Sequence, residues 1–225
     1  CAFIKTYVPD NNFEIWLEAN GYGDGDYQND SVMTSAISAP YTFDLSSAGI
    51  SDLRGIEDCY NLHTLNVSDN NLTTLDISNN TNISQVYASF NDSLSQIVLP
   101  AVMNSNLTLQ IQGCNFSTFD VPDQIKNLII SDNPLMSLDV TECDNLQDLA
   151  VSYTNLISLD VSNNQSLEYF ECTNNDSLTE LDLRNGFSII NLQPYIYGNP
   201  NLNCISVSDT VIANYVLTSF PNIDP

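Results

Sequence analysis

Apolar positions along this chain return in one short phrase. Residues 62–70, LHTLNVSDN, place leucine first and fourth, valine sixth and asparagine ninth. The same L-x-x-L-x-V-x-x-N frame recurs as ISQVYASFN ending at Asn91, IKNLIISDN ending at Asn133 and LEYFECTNN ending at Asn175. Weaker copies end at Ala48, Cys114, Thr154 and Asn199, so that successive frames lie 22, 21, 23, 19, 21, 21 and 24 residues apart. Self-similarity at such a period predicts stacked coils, none of which can bury its apolar face alone. The apolar positions point inward from a short strand and the bend leading into it, and stacked strands form a parallel sheet at about 4.8 Å spacing. Asparagine at the turn can satisfy bend backbone groups that the sheet leaves unpaired, with Cys114 and Thr154 as small polar substitutes. Asn174, one residue before the ladder, reads as a surface position that tolerates alanine.

A second phrase follows the first inside each coil. LTTLDISNN (residues 72–80) repeats the apolar spacing and carries its own asparagine, and LMSLDV, LISLDV and LTELDL repeat that spacing from Leu135, Leu156 and Leu178. Two inward-facing walls per coil are therefore expected, with no room for a helix between them.

The nested pattern L-x-x-L-x-L-x-x-N-x-L-x-x-L-D-L-x-x-N resembles the leucine-rich repeat family over about residues 40–207. ISDLRGIEDCYNLHTL, at residues 50–65, leans toward the internalin-like L-x-G-I-x-x-L variant. YVPDNNFEIWLEANGYGDGD and NPNLNCISVSD look like the two ends of leucine-rich-repeat ectodomains secreted by Gram-negative bacteria. The resemblance implies an α/β, right-handed leucine-rich-repeat solenoid with a parallel sheet on its concave face and short strands or irregular turns on its convex face. It also implies binding, usually of protein, rather than catalysis. The expected domains are an N-terminal cap at 1–39, about eight coils at 40–207, and a C-terminal cap or tail at 208–225. Within the first cap, residues 10–20 read as a helix. Pro9 and Asp10 suit its start, Glu14 its first turn and Gly21 its stop. Phe13, Trp16 and Leu17 form its apolar face, and residues 21–38 read as a Gly/Asp-rich loop.

Charge narrows the partners. Four Lys and Arg stand against 28 Asp and Glu, a net charge of −24. Lys5, Arg54, Lys126 and Arg184 are scattered, whereas nucleic acid and anionic membranes call for clustered cations. A cationic partner, a neutral glycan or Ca²⁺ remains compatible. No apolar run approaches the roughly 20 residues that span a bilayer.

Catalytic chemistry has little to work with. His63 is the only histidine, so a Ser-His-Asp triad would have to use it, and it stands at a surface-leaning position without a nucleophile motif. Asp76, Asp120, Asp139, Asp160 and Asp182 share the L-D-V position. The last four are expected to stack within about 5–6 Å, either as acceptors for local N–H and hydroxyl groups or as weak Ca²⁺ ligands. DGDYQND, at residues 24–30, lacks EF-hand spacing. Cys59, Cys114, Cys143 and Cys172 fall at inward positions and read as buried thiols; Cys204 faces outward. Cys1 is a candidate acylated first residue of a mature lipoprotein, or merely where the chain begins. No cofactor is expected, and a monomer is.

The remaining functional surface is the solvent face of the inner sheet. Its outward positions are Tyr87, Phe90, Ile129, Tyr153, Tyr169, Glu171, Tyr195 and Tyr197, set among Asn66, Gln85, Gln110, Gln112 and Asp148. Tyrosine offers large rigid area with a hydroxyl, which suits recognition. The reading is an extracellular or outer-membrane-surface protein-binding module. Sugar binding through the tyrosines, a structural spacer, or cross-strand aromatic ladders without a ligand are the rivals.

Overall fold

Two short strands and a helix precede the first repeat. The structure, a computed structural model, describes residues 4–27, 29–103, 106–184 and 195–208. β1 (Lys5–Tyr7) pairs antiparallel with β2 (Ser31–Met33), and between them runs α1 (Asn11–Ala19); α2 (Thr34–Ile37) follows as a single turn. The segment expected to be loop thus contains a strand and a helical turn. Two glutamates of α1 organise it. Glu18 accepts the N–H groups of Asp24 and Gly25, and buried Glu14 accepts those of Asn29 and Ser31. A Cβ at Gly23 would run into the Glu18 carboxylate and displace it from the Asp24 and Gly25 N–H groups.

The chain divides into two units, residues 1–115 and 116–225. In the first, β3 (Thr42–Asp44), β4 (Thr64–Asn66), β5 (Thr74–Asp76), β6 (Gln85–Tyr87), β7 (Gln96–Val98) and β8 (Leu107–Gln110) alternate between two walls. β3, β4, β6 and β8 pair in parallel in that order, and β5 pairs with β7 on the other wall. In the first coil that other wall holds a single 3-10 turn, Ile56–Asp58, entered through Gly55 at φ 105°. A Cβ there would press on Val8 and the Tyr7 carbonyl. In the second unit, β9 (Ile125–Ile129), β10 (Asp148–Ala150), β11 (Ser158–Asp160), β12 (Tyr169–Glu171), β13 (Glu180–Leu183) and β14 (Cys204–Val207) repeat the scheme. β9, β10 and β12 form one parallel sheet, and β11, β13 and β14 form the other. The chain is a leucine-rich-repeat β-solenoid. The expected C-terminal cap, from residue 209 on, and Cys1 lie outside the described residues.

Register explains the apolar spacing. Phe43, Leu65, Val86 and Leu109 are paired in neighbouring strands and fully buried, as are Leu128, Leu149 and Phe170. Each inward column contributes roughly 1.5–3 kcal/mol per large side chain removed from water. A slip of one residue would turn every such column to solvent.

The asparagine ladder joins coils at the bend. Asn70 Nδ2 donates to Val67 of its own coil and Leu45 of the previous one, while its Oδ1 accepts the Ile50 N–H. Asn91 repeats this with Ala88, Val67 and Leu72. In the second unit Asn133 accepts the Phe116 N–H, and Asn175 and Asn199 each bridge to the coil before. Cys114 Sγ lies 3.4 Å from the Ala88 carbonyl, a thiol in place of an amide. On the second wall Asn80 donates to Ile56 and Cys59, and Asn164 to Val140 and Cys143.

Two further columns escaped the sequence reading. The residue before each ladder position is left-handed: Ser47, Asp69, Phe90, Gly113, Asp132, Tyr153, Asn174 and Gly198 all have positive φ, from 55° at Ser47 to 75° at Gly198. Asn174 is therefore half-buried and conformationally constrained, not an indifferent surface site. One residue earlier, hydroxyls take over sheet hydrogen bonding. Ser89 Oγ accepts the Gln112 N–H, Ser131 Oγ the Ser152 N–H, and Ser152 Oγ the Thr173 N–H.

The cap is locked to the first coil by one carboxylate. Asp10 Oδ1 caps α1 by accepting from Asn12 and Phe13, and Oδ2 accepts the Ser51 N–H, the Ser51 hydroxyl and the Asp52 N–H. Burial opposes its ionisation, but the N–H groups of Ser51, Phe13 and Asp52 and the Ser51 hydroxyl outweigh it and hold the pKa below the usual range. A lowered folded pKa stabilises above the unfolded value of about 3.9 and is lost as pH falls.

Substitutions at three positions test this account by urea unfolding. Asn133→Ala should cost about 1–3 kcal/mol through unpaired bend groups. Asn174→Ala should cost about 1 kcal/mol while Asn174→Gly costs less, because both lose the hydrogen bond from Nδ2 to Thr173 Oγ1 and only alanine is strained in the left-handed backbone; equal losses would refute that cause. Asp10→Ala should cost about 2 kcal/mol at pH 7, and its deficit against wild type should shrink below about pH 4.

Candidate functional site

The outward face of the second unit's main sheet carries the expected tyrosines. Parallel register sets Asn127, Asp148 and Tyr169 side by side, and Ile129, Ala150 and Glu171 in the next row. Tyr195 bridges to Glu171, so it extends the second row and stands diagonal to Tyr169. Their ring centroids are 6.0 Å apart at 44°. Tyr169, Tyr195 and Tyr197 are 37%, 47% and 59% exposed. Tyr197 lies two residues further along. Tyr153, also exposed, occupies the left-handed bend and makes no ring contact with them among the described residues.

Glu171 is held in place from two sides. The Tyr169 hydroxyl donates to Oε2 at 2.7 Å and the Ser152 hydroxyl to Oε1 at 3.0 Å. Thr173 Oγ1 lies 3.0 Å from Ser152 Oγ, continuing the hydroxyl column beneath. Burial, the hydrogen bond to Glu171 and the negative charges of Glu171 and Asp148 push the Tyr169 phenol up to about 12, so it stays protonated and donating at neutral pH. Asp148 accepts from Asn127 Nδ2. Ser152 and Thr173 were absent from the sequence candidates. The serine or threonine that stands two residues before the ladder in VSDN, ASFN, ISDN and CTNN was the available signal.

The first unit's face is more polar. Tyr87 sits between Asn66 and Gln110 in register, Thr64 donates to Gln85, and Asn66 donates to Asp44. Phe90, 49% exposed, lies over Gly113, where an added Cβ would come within 2.8 Å of the ring. His63 stacks on Tyr41 at 3.8 Å and 13°, with Nδ1 2.7 Å from the Asn61 carbonyl. That pair spans one repeat length, a spacing visible in the sequence.

The aspartates of the L-D-V position mostly form local turns. Asp76, Asp139, Asp160 and Asp182 each accept an N–H two residues on, from Ser78, Thr141, Ser162 and Arg184. Asp160 and Asp182 are register partners, and Arg184 sits on Asp182, offsetting their repulsion. Asp120 and Asp139 lie outside any strand and line one shallow cleft with Asp123 and Glu142. Among the described residues no three His, Cys, Asp or Glu side chains come together as a metal set.

The thiols lie where the repeat put them. Cys59, Cys114, Cys143 and Cys172 are buried and Cys204 is exposed. Burial raises all four buried thiols, Cys114 and Cys143 to about 11 and Cys172 to about 12, and Cys59 further.

No protein-family model matches the sequence, and no curated protein matches it. Solved structures do match in fold. An internalin (InlF) from Listeria monocytogenes superposes with a TM-score of 0.62 at 16% identity over 89% of this chain. The functional domain of InlJ from Listeria monocytogenes, which includes a cysteine ladder, gives 0.50 at 17% over 90%. The match spans 63% and 64% of those two chains. At such identity the likeness is one of fold, an internalin-type leucine-rich-repeat solenoid.

Maleimide should label Cys204 in the native protein and Cys59, Cys114, Cys143 and Cys172 only after denaturation, since a buried, protonated thiol neither meets nor attacks the reagent. Native labelling of two of those four, read by mass spectrometry, would contradict their placement.

Proposed function

We propose that this chain is a non-catalytic, extracellular or cell-surface binding module that recognises a protein through the tyrosine-bearing face of its second unit. One observation supports the reading above others: Tyr169, Tyr195 and Tyr197 are exposed together beside a Glu171 that two hydroxyls hold in position. Rigid aromatic area next to an ordered carboxylate needs little further ordering on binding, which favours affinity. Tyr153 borders this face; Tyr87 and Phe90 belong to the first unit and are a secondary candidate there. The internalin-type fold agrees with a recognition role without naming a partner. The sole histidine is engaged with Tyr41 and a backbone carbonyl, which fits a non-catalytic chain.

Sugar binding is the second reading, favoured by the same tyrosine faces with Asp148 and Asn127 as hydroxyl partners. The full chain and its Tyr195→Ala/Tyr197→Ala variant separate the two when applied to a surface-protein array and a glycan array. Melting temperature should be nearly unchanged, because both side chains face solvent. A protein hit weakened by about 1–3 kcal/mol in the variant supports the proposal. A glycan hit with the same loss supports the alternative. Hits of either kind that ignore the substitutions place the ligand elsewhere.

A further inference from the structure

This face carries two carboxylates beside its tyrosines. Glu171 and Asp148 flank Tyr169, one two residues along its own strand and the other opposite it on β10. Among the described residues the donors to both carboxylates are neutral: Tyr169, Ser152 and, at 3.5 Å, Thr173 for Glu171, and Asn127 for Asp148. The chain has only four Lys and Arg. Three of these are paired with acidic residues of their own unit, Lys5 with Asp24, Arg54 with Asp52 and Arg184 with Asp182, and the fourth, Lys126, stands on β9 one residue before Asn127, outside the row that Asn127, Asp148 and Tyr169 share. A carboxylate has about four acceptor sites, so both groups keep capacity for an incoming donor. The phenol of Tyr169 registers the same field, since negative neighbours help to hold its proton.

We propose, building on the protein-binding reading, that the Tyr169–Tyr195 face receives an arginine side chain from a basic segment of the partner. A guanidinium matches both halves of the face. Its edge pairs with a carboxylate through parallel N–H donors, and its plane stacks on a tyrosine ring. Lysine satisfies the charge but neither the fork nor the stack. A neutral peptide leaves two carboxylates facing an approaching surface that cannot pair with them, which costs affinity. Glu171 is the better anchor of the two, because its orientation is set by hydroxyls from Tyr169 of its own strand and Ser152 of the coil before. Tyr195, exposed and tilted against Tyr169, supplies the stacking ring.

Three short peptides of sequence acetyl-Gly-X-Gly-X-Gly-amide, with X arginine, lysine or citrulline, test this against the full chain by NMR titration. Citrulline keeps the shape of arginine without its charge. Arginine should bind tightest, lysine about threefold weaker and citrulline at least about tenfold weaker, with affinity falling as salt rises. Glu171→Gln and Tyr195→Ala should each weaken the arginine peptide about fivefold, while Asp76→Asn, an acidic change in the first unit, shifts it less than about twofold. Asp148→Asn provides a second carboxylate variant if Glu171→Gln melts early. Equal binding of citrulline, or arginine binding that Glu171→Gln and Tyr195→Ala leave intact, would overturn the inference. A protein partner lost with Tyr195→Ala/Tyr197→Ala yet indifferent to its own arginines would overturn it while leaving the binding reading standing.

Discussion

The side-chain amide at the bend is the interaction on which the rest of this structure depends. A coil of about 21 residues must turn sharply out of its strand, and the turn strands backbone groups in a buried place, where an unmet donor or acceptor costs about 1–3 kcal/mol. Asn70 and Asn91 resolve this by donating to two successive coils and accepting from a third backbone group. One residue type therefore closes its own coil and joins the next. Cys114 shows how far the site can be relaxed, since a thiol still reaches the Ala88 carbonyl.

That bend fixes its neighbours. The preceding residue is left-handed in every frame, including at Phe90 and Tyr153, where a bulky side chain is conformationally unfavoured. Both are aromatic and exposed. At Tyr153 the strain is tolerated beside the second unit's tyrosines, which agrees with a role for that face beyond packing. The residue before that carries the hydroxyl column. Ser152 in this column links repeat architecture to the binding face, because its Oγ both accepts from Thr173 and steadies Glu171.

Electrostatics acts on two scales. The net charge of −24 makes cations attractive everywhere on the surface and decides nothing about where they dock. Local geometry does decide it. Asp182 is already paired with Arg184, and Asp139 turns one oxygen to the Thr141 N–H and hydroxyl of its own turn. Glu171 and Asp148 are ordered by neutral donors and keep their charge available. The aspartate ladder looked the more regular feature, yet its members serve their own turns.

Periodicity alone determined the coil register, the two walls, the inward thiols and the outward tyrosines, because a repeat presents the same backbone environment at every pass and side-chain type then reports which way each position points. Even the diagonal placement of Tyr169 and Tyr195 followed from counting. What the tertiary structure decided lay where that regularity fails. β1, β2 and α2 have no repeat to announce them, and the Gly/Asp-rich stretch became structured by wrapping Glu14 and Glu18, contacts between residues far apart in pattern. Asn174 looked exposed because sequence carries no φ. Glu171 looked like any acidic residue, since the hydroxyls that orient it come from Tyr169 two positions away and from Ser152 one coil earlier, and only stacking brings those together.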